Sequence, residues 1–252
     1  MNIINPKAKI GENVKIDPFS IIHDNVVIGE NSWIGSNVTI FPGAKIGKNC
    51  KIYPGSIIAS DPQDLKYNNE LTKVIIGDNT IIREYVTINK GTESTNQTII
   101  GENCFIMTYS HIAHDCVVGD NCIIANAVNL AGHVKIENNV VMGGLCAVKQ
   151  FSTIGKYSMV SGGSLVRKDI PPFIKVAKEP LKYIGINIVG LKRNNFNNEK
   201  INNIKNCYRI FSNKGYNTSK AVSILEKKEN QNNEEKEIIN FIKKSNSGII
   251  KF

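Results

Sequence analysis

The sequence predicts an all-β fold, a parallel β-helix over residues 1–180, followed by a C-terminal α-helical domain over residues 181–252. Two observations lead to this fold class. Aliphatic residues recur every six positions along the first part, and the spacing of apolar residues becomes helical after residue 180. A period of six belongs neither to an α-helix, whose period is 3.6, nor to a half-buried strand, whose period is 2. It is typical of a parallel β-helix, in which each short side of the coil sends one large aliphatic side chain inward.

The six-residue pattern is almost unbroken. Of the twenty-eight positions that occur every sixth residue from Ile4 to Val166, twenty-five hold Ile, Val, Leu or Met. The exceptions, Asp64, Glu70 and Ser94, fall in two polar interruptions, which predict extruded loops over residues 60–73 and 89–98. Three hexads of about 18 residues should form one triangular coil that stacks on the coil before it.

The remaining positions of the hexad agree with this interpretation. Glycine often follows the aliphatic residue, and asparagine often stands two places further on, where both should tolerate the backbone angles of a tight corner. The fourth residue after the aliphatic is usually small and should also point inward. This slot holds five of the six cysteines, Cys50, Cys104, Cys116, Cys122 and Cys146. We therefore expect reduced cysteines that pack as small apolar residues, not disulfides or metal ligands.

The N-terminal residues MNIINPKAKI do not have the pattern of a secretion signal, and no stretch of 18 apolar residues occurs. With the cysteine usage, this predicts a cytoplasmic protein without a membrane span.

Composition changes after about residue 180, where Pro171, Pro172 and Pro180 punctuate the exit from the repeats. Apolar residues then recur at helical spacing and predict three or four helices packed across the end of the coil. The stripes are Ile201, Ile204, Tyr208 and Phe211, then Val222 and Leu225, then Ile238, Ile239 and Ile242.

Charge also separates along the chain. Residues 1–180 carry 17 basic and 16 acidic side chains, whereas residues 181–252 carry 14 and 6, a net charge of +8. These lysines could be solvated helix faces, or they could form a docking surface for an acidic partner. Nucleic acid is a less suitable partner, because aromatic residues do not alternate with the lysines.

Three of the four histidines stand in neighbouring coils. After residue 100 the register is undisturbed, so each residue should lie above the residue 18 positions earlier. This register brings six residues into one surface patch: His111, His114, Asp115, Gly132, His133 and Gln150. A histidine beside a carboxylate can act as a general base, and the N–H of a glycine one coil above suits an oxyanion.

The histidine cluster could instead bind a metal. Some β-helices of this type resemble gamma-class carbonic anhydrases, in which three histidines hold one zinc ion across a subunit seam. Asp115 and Gln150 beside the histidines suit recognition of a polar substrate as well, so the sequence favours a site without metal or cofactor.

Five segments, in this order and spacing, carry a specific resemblance: SDPQDLKY (60–67), SHIAHDC (110–116), NLAGHV (129–134), AVKQF (147–151) and GINIVGLKR (185–193). Over essentially its whole length the chain resembles the acyl-carrier-protein–UDP-N-acetylglucosamine O-acyltransferases, which catalyse the first step of lipid A biosynthesis. The resemblance implies a left-handed β-helix with a C-terminal helical domain, assembled as a homotrimer with active sites between subunits. It also implies that a 3-hydroxyacyl group passes from acyl carrier protein to the 3-hydroxyl of UDP-N-acetylglucosamine.

The same resemblance assigns roles to individual residues. His114 is implied to be the general base, supported by Asp115, and the Gly132 N–H to be the oxyanion donor. Positions implied to hold the sugar nucleotide and the acyl-phosphopantetheine are Asp64, Lys66, His111, His133 and Gln150. Asn187 and Arg193 match nucleotide contacts from a second subunit. Gly162 matches the residue that closes the acyl groove, and a glycine there implies a preference for long chains.

The chain departs from the family pattern at four positions. Asn89 replaces the histidine of the segment VTIHRG of well-known members, and Lys149 replaces the histidine of AVHQF. In the segment NIEGLKRR, Val189 replaces the glutamate and Asn194 the last arginine. These changes leave the catalytic residues untouched and affect nucleotide and phosphate contacts. Two other functions remain open from the residues: a related enzyme that N-acylates a glucosamine nucleotide, and a non-enzymatic β-solenoid. The first normally has an additional N-terminal domain, and the second would repeat one flat polar face along many coils.

Overall fold

The structure, a computed structural model, describes residues 1–252. The repeats wind into a left-handed parallel β-helix whose three sides are three sheets. The period of six predicts the coil, and the family resemblance implies its hand. No helix in the structure combines the length and the apolar character that crossing a bilayer requires.

The strands are short, mostly two residues each, and each sheet gathers the strands of one side of the coil. The first sheet contains Ile3–Ile4, Ile21–Ile22, Thr39–Ile40, Ile57–Ser60, Thr87–Asn89, His111–Ile112, Asn129–Leu130, Ala147–Val148 and Leu165–Val166. The second contains Lys9–Ile10, Val27–Ile28, Ala44–Ile46, Lys73–Ile76, Gln97–Ile100, Val117–Val118, Lys135–Ile136 and Thr153–Ile154. The third contains Lys15–Ile16, Trp33–Ile34, Lys51–Ile52, Ile81–Ile82, Phe105–Ile106, Ile123–Ile124, Val141–Met142, Met159–Val160, Ile174–Ala177 and Lys182–Ile186.

The core is the column of aliphatic side chains predicted from the hexads. From Ile22 to Val166 every aliphatic residue of the period is buried, and the inward cysteines are buried beside them. Their thiols donate to carbonyl oxygens of the following coil, as from Cys116 Sγ to Ala131 O at 3.1 Å. The first coil differs, because Ile4 and Ile10 are 43% and 38% exposed. The β-helix is therefore closed by packing at its C-terminal end only.

Stacking follows the predicted register. His111 pairs with Asn129, and Ile112 with Leu130, eighteen positions apart. Ile76 instead stacks on Ile46, thirty positions earlier, because the first loop leaves the coil between Ser60 and Lys73. The second loop lies between Asn89 and Gln97, where Ile112 stacks on Ile88 at a distance of twenty-four positions. Both loops leave the corner that follows the first sheet.

The corners confirm the role predicted for asparagine and correct the one predicted for glycine. All eight asparagines of the repeat, from Asn13 to Asn121, have left-handed backbone angles, with φ between 52° and 59°. The glycines after the aliphatic residues do not. A Cβ at Gly29, for example, would lie 2.5 Å from the backbone carbon of Gly47 one coil above. Glycine is required there because successive coils approach closely, not because of the corner angle.

The exit from the repeats differs from a simple end at Val166. Ile174–Ala177 adds one more parallel strand to the third sheet, and Lys182–Ile186 then pairs with it in an antiparallel hairpin that spans residue 180. Four helices follow: α1 (Ile188–Arg193), α2 (Asn198–Phe211), α3 (Thr218–Glu226) and α4 (Asn233–Lys244). The last three carry the predicted apolar stripes, whose residues are buried. An asparagine caps the N-terminus of each helix, as its side-chain oxygen suits.

Two buried polar residues attach the helices to the β-helix. Tyr208 of α2 is fully buried and donates its hydroxyl to Pro172 O at 2.7 Å. Asp169 accepts from Thr153 N at 2.7 Å and from the hydroxyl of Ser245, just after α4, at 2.6 Å. These bonds fix the helical domain over the last coils.

Candidate active site

A cleft of about 660 Å³ lies on the outer face of the first sheet, at the corner from which both loops leave. One wall is the sheet itself, and the other is the first loop. The residues that line it include His111, Ala113, His114, Gly132, Gln150, Asp64, Leu65 and Lys66. The cleft thus brings four residues of the patch that the 18-residue register predicts together with the two loop residues that the resemblance singled out. Of the other two patch residues, Asp115 is buried behind His114, and His133 lines a smaller neighbouring pocket with Asp64 and Lys66.

His114 and Asp115 form a buried hydrogen-bonded pair in this cleft. His114 Nδ1 lies 2.8 Å from Asp115 Oδ2, and the side chains are 7% and 0% exposed. Because an ionised carboxylate only accepts hydrogen bonds, the pair fixes the proton of a neutral His114 on Nδ1. The other nitrogen, Nε2, is then free to accept a proton.

Asp115 is ionised because several groups donate hydrogen bonds to its carboxylate. It occupies a corner with φ of 60°, a conformation that aspartate tolerates better than most residues. Burial acts to raise the pKa of Asp115, but hydrogen bonds from Thr95, His114 and Thr92 outweigh it and lower the pKa below its ordinary value. Asp115 therefore remains a carboxylate at neutral pH despite its burial.

Gly132 lies against the imidazole of His114. A Cβ on this residue would stand 2.5 Å from His114 Cε1 and 2.6 Å from Nε2, so only glycine fits. The Gly132 N–H donates to no protein acceptor. At the equivalent place of three hexads, those of Lys48, Glu102 and Asp120, a side-chain oxygen one coil above accepts this bond, as Asp120 Oδ1 does from Glu102 N at 2.9 Å. Gln150, the residue above Gly132, accepts no such bond, so the amide is free beside the imidazole of His114.

The two other histidines border the pair. His111 Nδ1 lies 2.7 Å from the hydroxyl of Thr87, and burial, together with the nearby His114, lowers the pKa of His111. It is therefore neutral at pH 7. His133 stacks on Phe151, with ring centroids 4.6 Å apart, and its Nε2 lies 3.7 Å from Asp115 Oδ2.

The first loop is held at its base, so that Asp64 and Lys66 face the sheet. Lys90 Nζ pairs with Asp61 at 2.8 Å, and Asn89 Nδ2 donates to Ser60 Oγ and to Asp61 O, both at 2.9 Å. Asn89, where the family pattern has histidine, is thus a buried anchor of the loop, not a group in the cleft.

Three further predicted site residues lie outside this group. Gly162 is exposed at the corner that follows the third sheet, beside Gly144. Arg193 is exposed at the end of α1. Asn187 is buried, and its side chain is engaged within the chain: Oδ1 accepts from Gly190 N at 3.2 Å, and Nδ2 donates to Tyr157 O at 2.9 Å.

The other departures from the family pattern are peripheral in this chain. Lys149 and Val189 are exposed, and Asn194 caps the end of α1 by donating its side-chain amide to Gly190 O at 2.9 Å.

Sequence reasoning missed Thr87, Thr92 and Thr95, the groups that bind His111 and Asp115. Thr92 and Thr95 lie in the second loop. This loop interrupts the 18-residue spacing, so counting residues could not predict what lies next to them. The sequence does contain a signal for these residues: the second interruption of the hexads falls in the coil directly below the one that carries His114, so residues of that loop could be expected near His114.

Three potential metal ligands meet here, since ligand atoms of His114, Asp115 and His133 lie within 4.8 Å of one another. His111 is not part of this group, so one chain does not assemble the three-histidine set of the zinc hypothesis. The carboxylate oxygens already accept bonds from two threonines and His114, so a metal would have to displace these donors. This donor set fits a hydrogen-bonded pair better than a zinc site.

A catalytic cleft on a coil of hexapeptide repeats is typical of one class of transferases. Residues 7–42, 25–60 and 97–132 match the family described as bacterial transferase hexapeptide (six repeats). Residues 169–250 match the second domain of UDP-N-acetylglucosamine O-acyltransferase. The chain is therefore a hexapeptide-repeat acyltransferase.

Individual relatives specify the family. An acyl-[acyl-carrier-protein]–UDP-N-acetylglucosamine O-acyltransferase of Sulfurihydrogenibium sp. is 49% identical over 98% of this chain and 92% of its own length. That of Alkalilimnicola ehrlichii is 42% identical over 99% and 97%. The crystal structure of a UDP-N-acetylglucosamine acyltransferase from Bacteroides fragilis is 45% identical, with a TM-score of 0.97 over 99% of this chain and 98% of that one. This protein belongs to the acyl-[acyl-carrier-protein]–UDP-N-acetylglucosamine O-acyltransferase family.

Proposed function

We propose that this protein transfers a 3-hydroxyacyl group from acyl carrier protein to the 3-hydroxyl of UDP-N-acetylglucosamine, with His114 as general base. Family membership supports the two substrates. The observation that carries the mechanism is the buried pair of His114 and Asp115, 2.8 Å apart, beside the free N–H of Gly132.

The chemistry follows from these groups. His114 Nε2 removes the proton from the sugar hydroxyl as its oxygen attacks the thioester carbonyl carbon. The carbonyl oxygen becomes an oxyanion, which the Gly132 N–H stabilises. The intermediate then collapses, the carbon–sulfur bond breaks, and the protonated His114 returns the proton to the leaving thiolate. Asp115 stabilises the imidazolium between these two steps.

Product analysis tests this function. The purified protein is incubated with UDP-N-acetylglucosamine and a panel of 3-hydroxyacyl carrier proteins, and the products are examined by mass spectrometry. We expect an ester on the sugar nucleotide. An amide formed only on a glucosamine nucleotide with a free amine would favour the N-acyltransferase instead.

The helical domain supports the docking of an acidic carrier protein. Four of its six carboxylates, those of Glu226, Glu234, Glu235 and Glu237, pair with lysines, whereas most of its lysines and arginines have no acidic partner. Lys205 and Arg209 are both exposed and stand one turn apart on α2. A surface of unpaired cations attracts an acidic protein and accelerates its association.

Ionic strength tests this docking. The KM for the acyl-carrier substrate should rise on the order of tenfold from low to high salt, because mobile ions screen the attraction. The KM for UDP-N-acetylglucosamine serves as the internal control. Replacement of Lys205 and Arg209 by glutamine should flatten the dependence. A carrier KM that is equal at low and high salt would mean that the lysines serve only to solvate the domain.

Exposed apolar residues support a homotrimer. Tyr85, Tyr109 and Leu145, which are 55%, 63% and 73% exposed, line the corner between the third and first sheets. Ile123 and Leu165 continue this surface on the two adjoining faces. A contiguous apolar surface of this kind usually marks a protein interface. The first sheet, which forms one wall of the cleft, begins at this corner, so a neighbouring copy packed here could add a further wall and bring its Gly162 and Arg193 to the cleft.

Hybrid trimers test the shared site. We expect the His114→Ala and Arg193→Ala proteins to be nearly inactive when assembled alone. Unfolding, mixing and reassembly of equal amounts should restore about a quarter of the sites, since each such site takes an intact residue from each subunit. Light scattering must show a trimer. Mixtures that remain inactive after reassembly would contradict the shared site.

The acyl groove gives a prediction for Gly162. Its backbone does not require glycine, because the left-handed angle at this corner belongs to Gly163, whose φ is 70°. A Cβ on Gly162 would lie 3.1 Å from Gly144 O, a contact that a small shift relieves. Gly162→Met should therefore retain the fold and shift preference from long to shorter 3-hydroxyacyl chains. Each methylene excluded is worth ~0.8 kcal/mol, so a few change kcat/KM by orders of magnitude.

The acyl-length profile and the Tm of this one variant separate the two roles of Gly162. A lower Tm with an unchanged profile would mean that the glycine serves only the local backbone.

A further inference from the structure

Residues of the second loop bind the Asp115 carboxylate through hydrogen bonds. Oδ1 accepts from the backbone N–H of Thr92 at 3.0 Å and from the hydroxyl of Thr95. Oδ2 accepts from the hydroxyl of Thr92 at 2.7 Å and from His114 at 2.8 Å. The backbone N–H of Asp115 donates to Thr98 Oγ1 at 2.9 Å. Two oxygens thus take four donors, which uses the full capacity of a carboxylate.

Two imidazoles are within reach of the same carboxylate oxygen. Asp115 Oδ2 is 2.8 Å from His114 Nδ1 and 3.7 Å from His133 Nε2. The two rings are perpendicular, with centroids 5.1 Å apart. His133 can therefore compete with His114 for this oxygen. The orientation of Asp115 therefore decides which histidine receives the carboxylate.

We propose that Thr92 and Thr95 are positioning residues. They orient the Asp115 carboxylate so that it accepts a hydrogen bond from His114 and not from His133. The inference rests on the proposed role of His114 and deepens it. Thr92 holds both oxygens at once, one through its N–H and one through its hydroxyl, so the carboxylate cannot rotate without losing a bond. On this reasoning the second loop contributes to catalysis, although neither threonine lines the cleft.

The loop is braced firmly enough for this purpose. Gly91 N donates to Lys73 O at 3.2 Å, and the hydroxyl of Thr72 donates to Gly91 O at 2.5 Å. Asn96 N donates to Thr92 O at 2.8 Å, which closes the loop upon itself. Thr92 is itself buried. Its position is therefore set by the first loop and the second sheet, independently of Asp115.

Thr92→Val tests the inference, because valine retains the shape and removes the hydroxyl. Hydrogen bonds to charged groups are strong enough that kcat should fall about ten- to hundredfold, while both KM values remain close to wild type. Thr92→Ser, which restores a hydroxyl, should recover most of the loss. The double variant with Thr95→Val should lose more than the single one.

The pH profile separates positioning from a merely structural role. An imidazolium that loses its carboxylate partner gives up its proton more readily, so the acid limb of the kcat profile should move to lower pH in Thr92→Val. The other titratable groups around His114 remain in place in this variant: Asp64, Lys66, His111 and His133. In addition, NMR of the ¹⁵N-labelled histidines should show that the Nδ1–H tautomer of His114 is lost.

Three results would overturn the inference. One is a kcat within twofold of wild type in the double variant. Another is a fall in kcat with an unmoved acid limb and an unchanged His114 tautomer, which indicates a structural role. The third is an acid limb that moves to higher pH, because the carboxylate would then still be on His114. His114→Ala is measured in parallel: if it is active, the base assignment fails first, whatever the threonines do.

Discussion

Replacement of His114 by alanine is expected to reduce kcat by at least ~10²-fold, the usual contribution of a general base. An alcohol is a poor nucleophile at neutral pH, and His114 is the histidine of the cleft that lies at hydrogen-bond distance from a buried carboxylate. The measurement is steady-state turnover at saturating concentrations of both substrates. Tm and molar mass should remain those of the wild type.

His23→Ala provides the matched control. This fourth histidine stacks on Phe41 in an early coil, with centroids 4.9 Å apart, and lies outside the cleft. Its loss should leave turnover unchanged. Near wild-type turnover in His114→Ala would overturn the assignment of the base and leave the acyltransferase activity itself unaffected.

The second large effect is expected at Gly132. In Gly132→Ala the new methyl group would occupy space within 2.6 Å of two ring atoms of His114, so the imidazole or the backbone must shift. Either movement separates the base from the N–H that stabilises the oxyanion. Loss of one such donor costs about 10²–10³-fold in kcat, and displacement of the base adds to this. The KM for the carrier substrate should change far less, because its docking surface is remote.

Gly144→Ala is the corresponding control, since Gly144 occupies the same slot of its hexad as Gly132. A Cβ there meets its nearest atom, Asn126 O, at 3.2 Å, and no histidine lies nearby. Near-normal turnover in Gly144→Ala and loss of turnover in Gly132→Ala would attribute the effect to the cleft. Equal turnover in the two variants would show that the Gly132 amide does not take part in the reaction.

The fold followed from the sequence because each aliphatic residue of a hexad occupies the same position in its coil. The confirmed pairing of His111 with Asn129 shows that the 18-residue register also places surface residues correctly after residue 100. For this reason His114, Asp115, Gly132 and Gln150 could be brought together by counting alone. In a solenoid each repeat contacts only its neighbours, so sequence position translates directly into position in space.

Counting fails where the coil is interrupted or ends. Thr92 and Thr95 lie in a loop whose path depends on contacts with the first loop, and no period describes those contacts. The strand Lys182–Ile186 turns back antiparallel, so it falls outside any repeat. The prediction that these glycines are needed for the corner angle was wrong for another reason. The sequence shows where glycine occurs, but the steric clash of a side chain at that place depends on the distance between successive coils.

The exposed first coil has a consequence for how the molecule opens. Each coil contacts only its neighbours, so local opening free energies should depend on the distance from an unsupported end. Ile4 and Ile10 have neighbours on one side only, whereas Asp169 and Tyr208 fasten the opposite end. Amide hydrogen exchange should therefore form a gradient, fastest in the first coil and slower towards the coils that carry His114 and Gly132. Roughly five coils lie between the free end and the pair of His114 and Asp115, so fraying of the first coils would leave this pair in place.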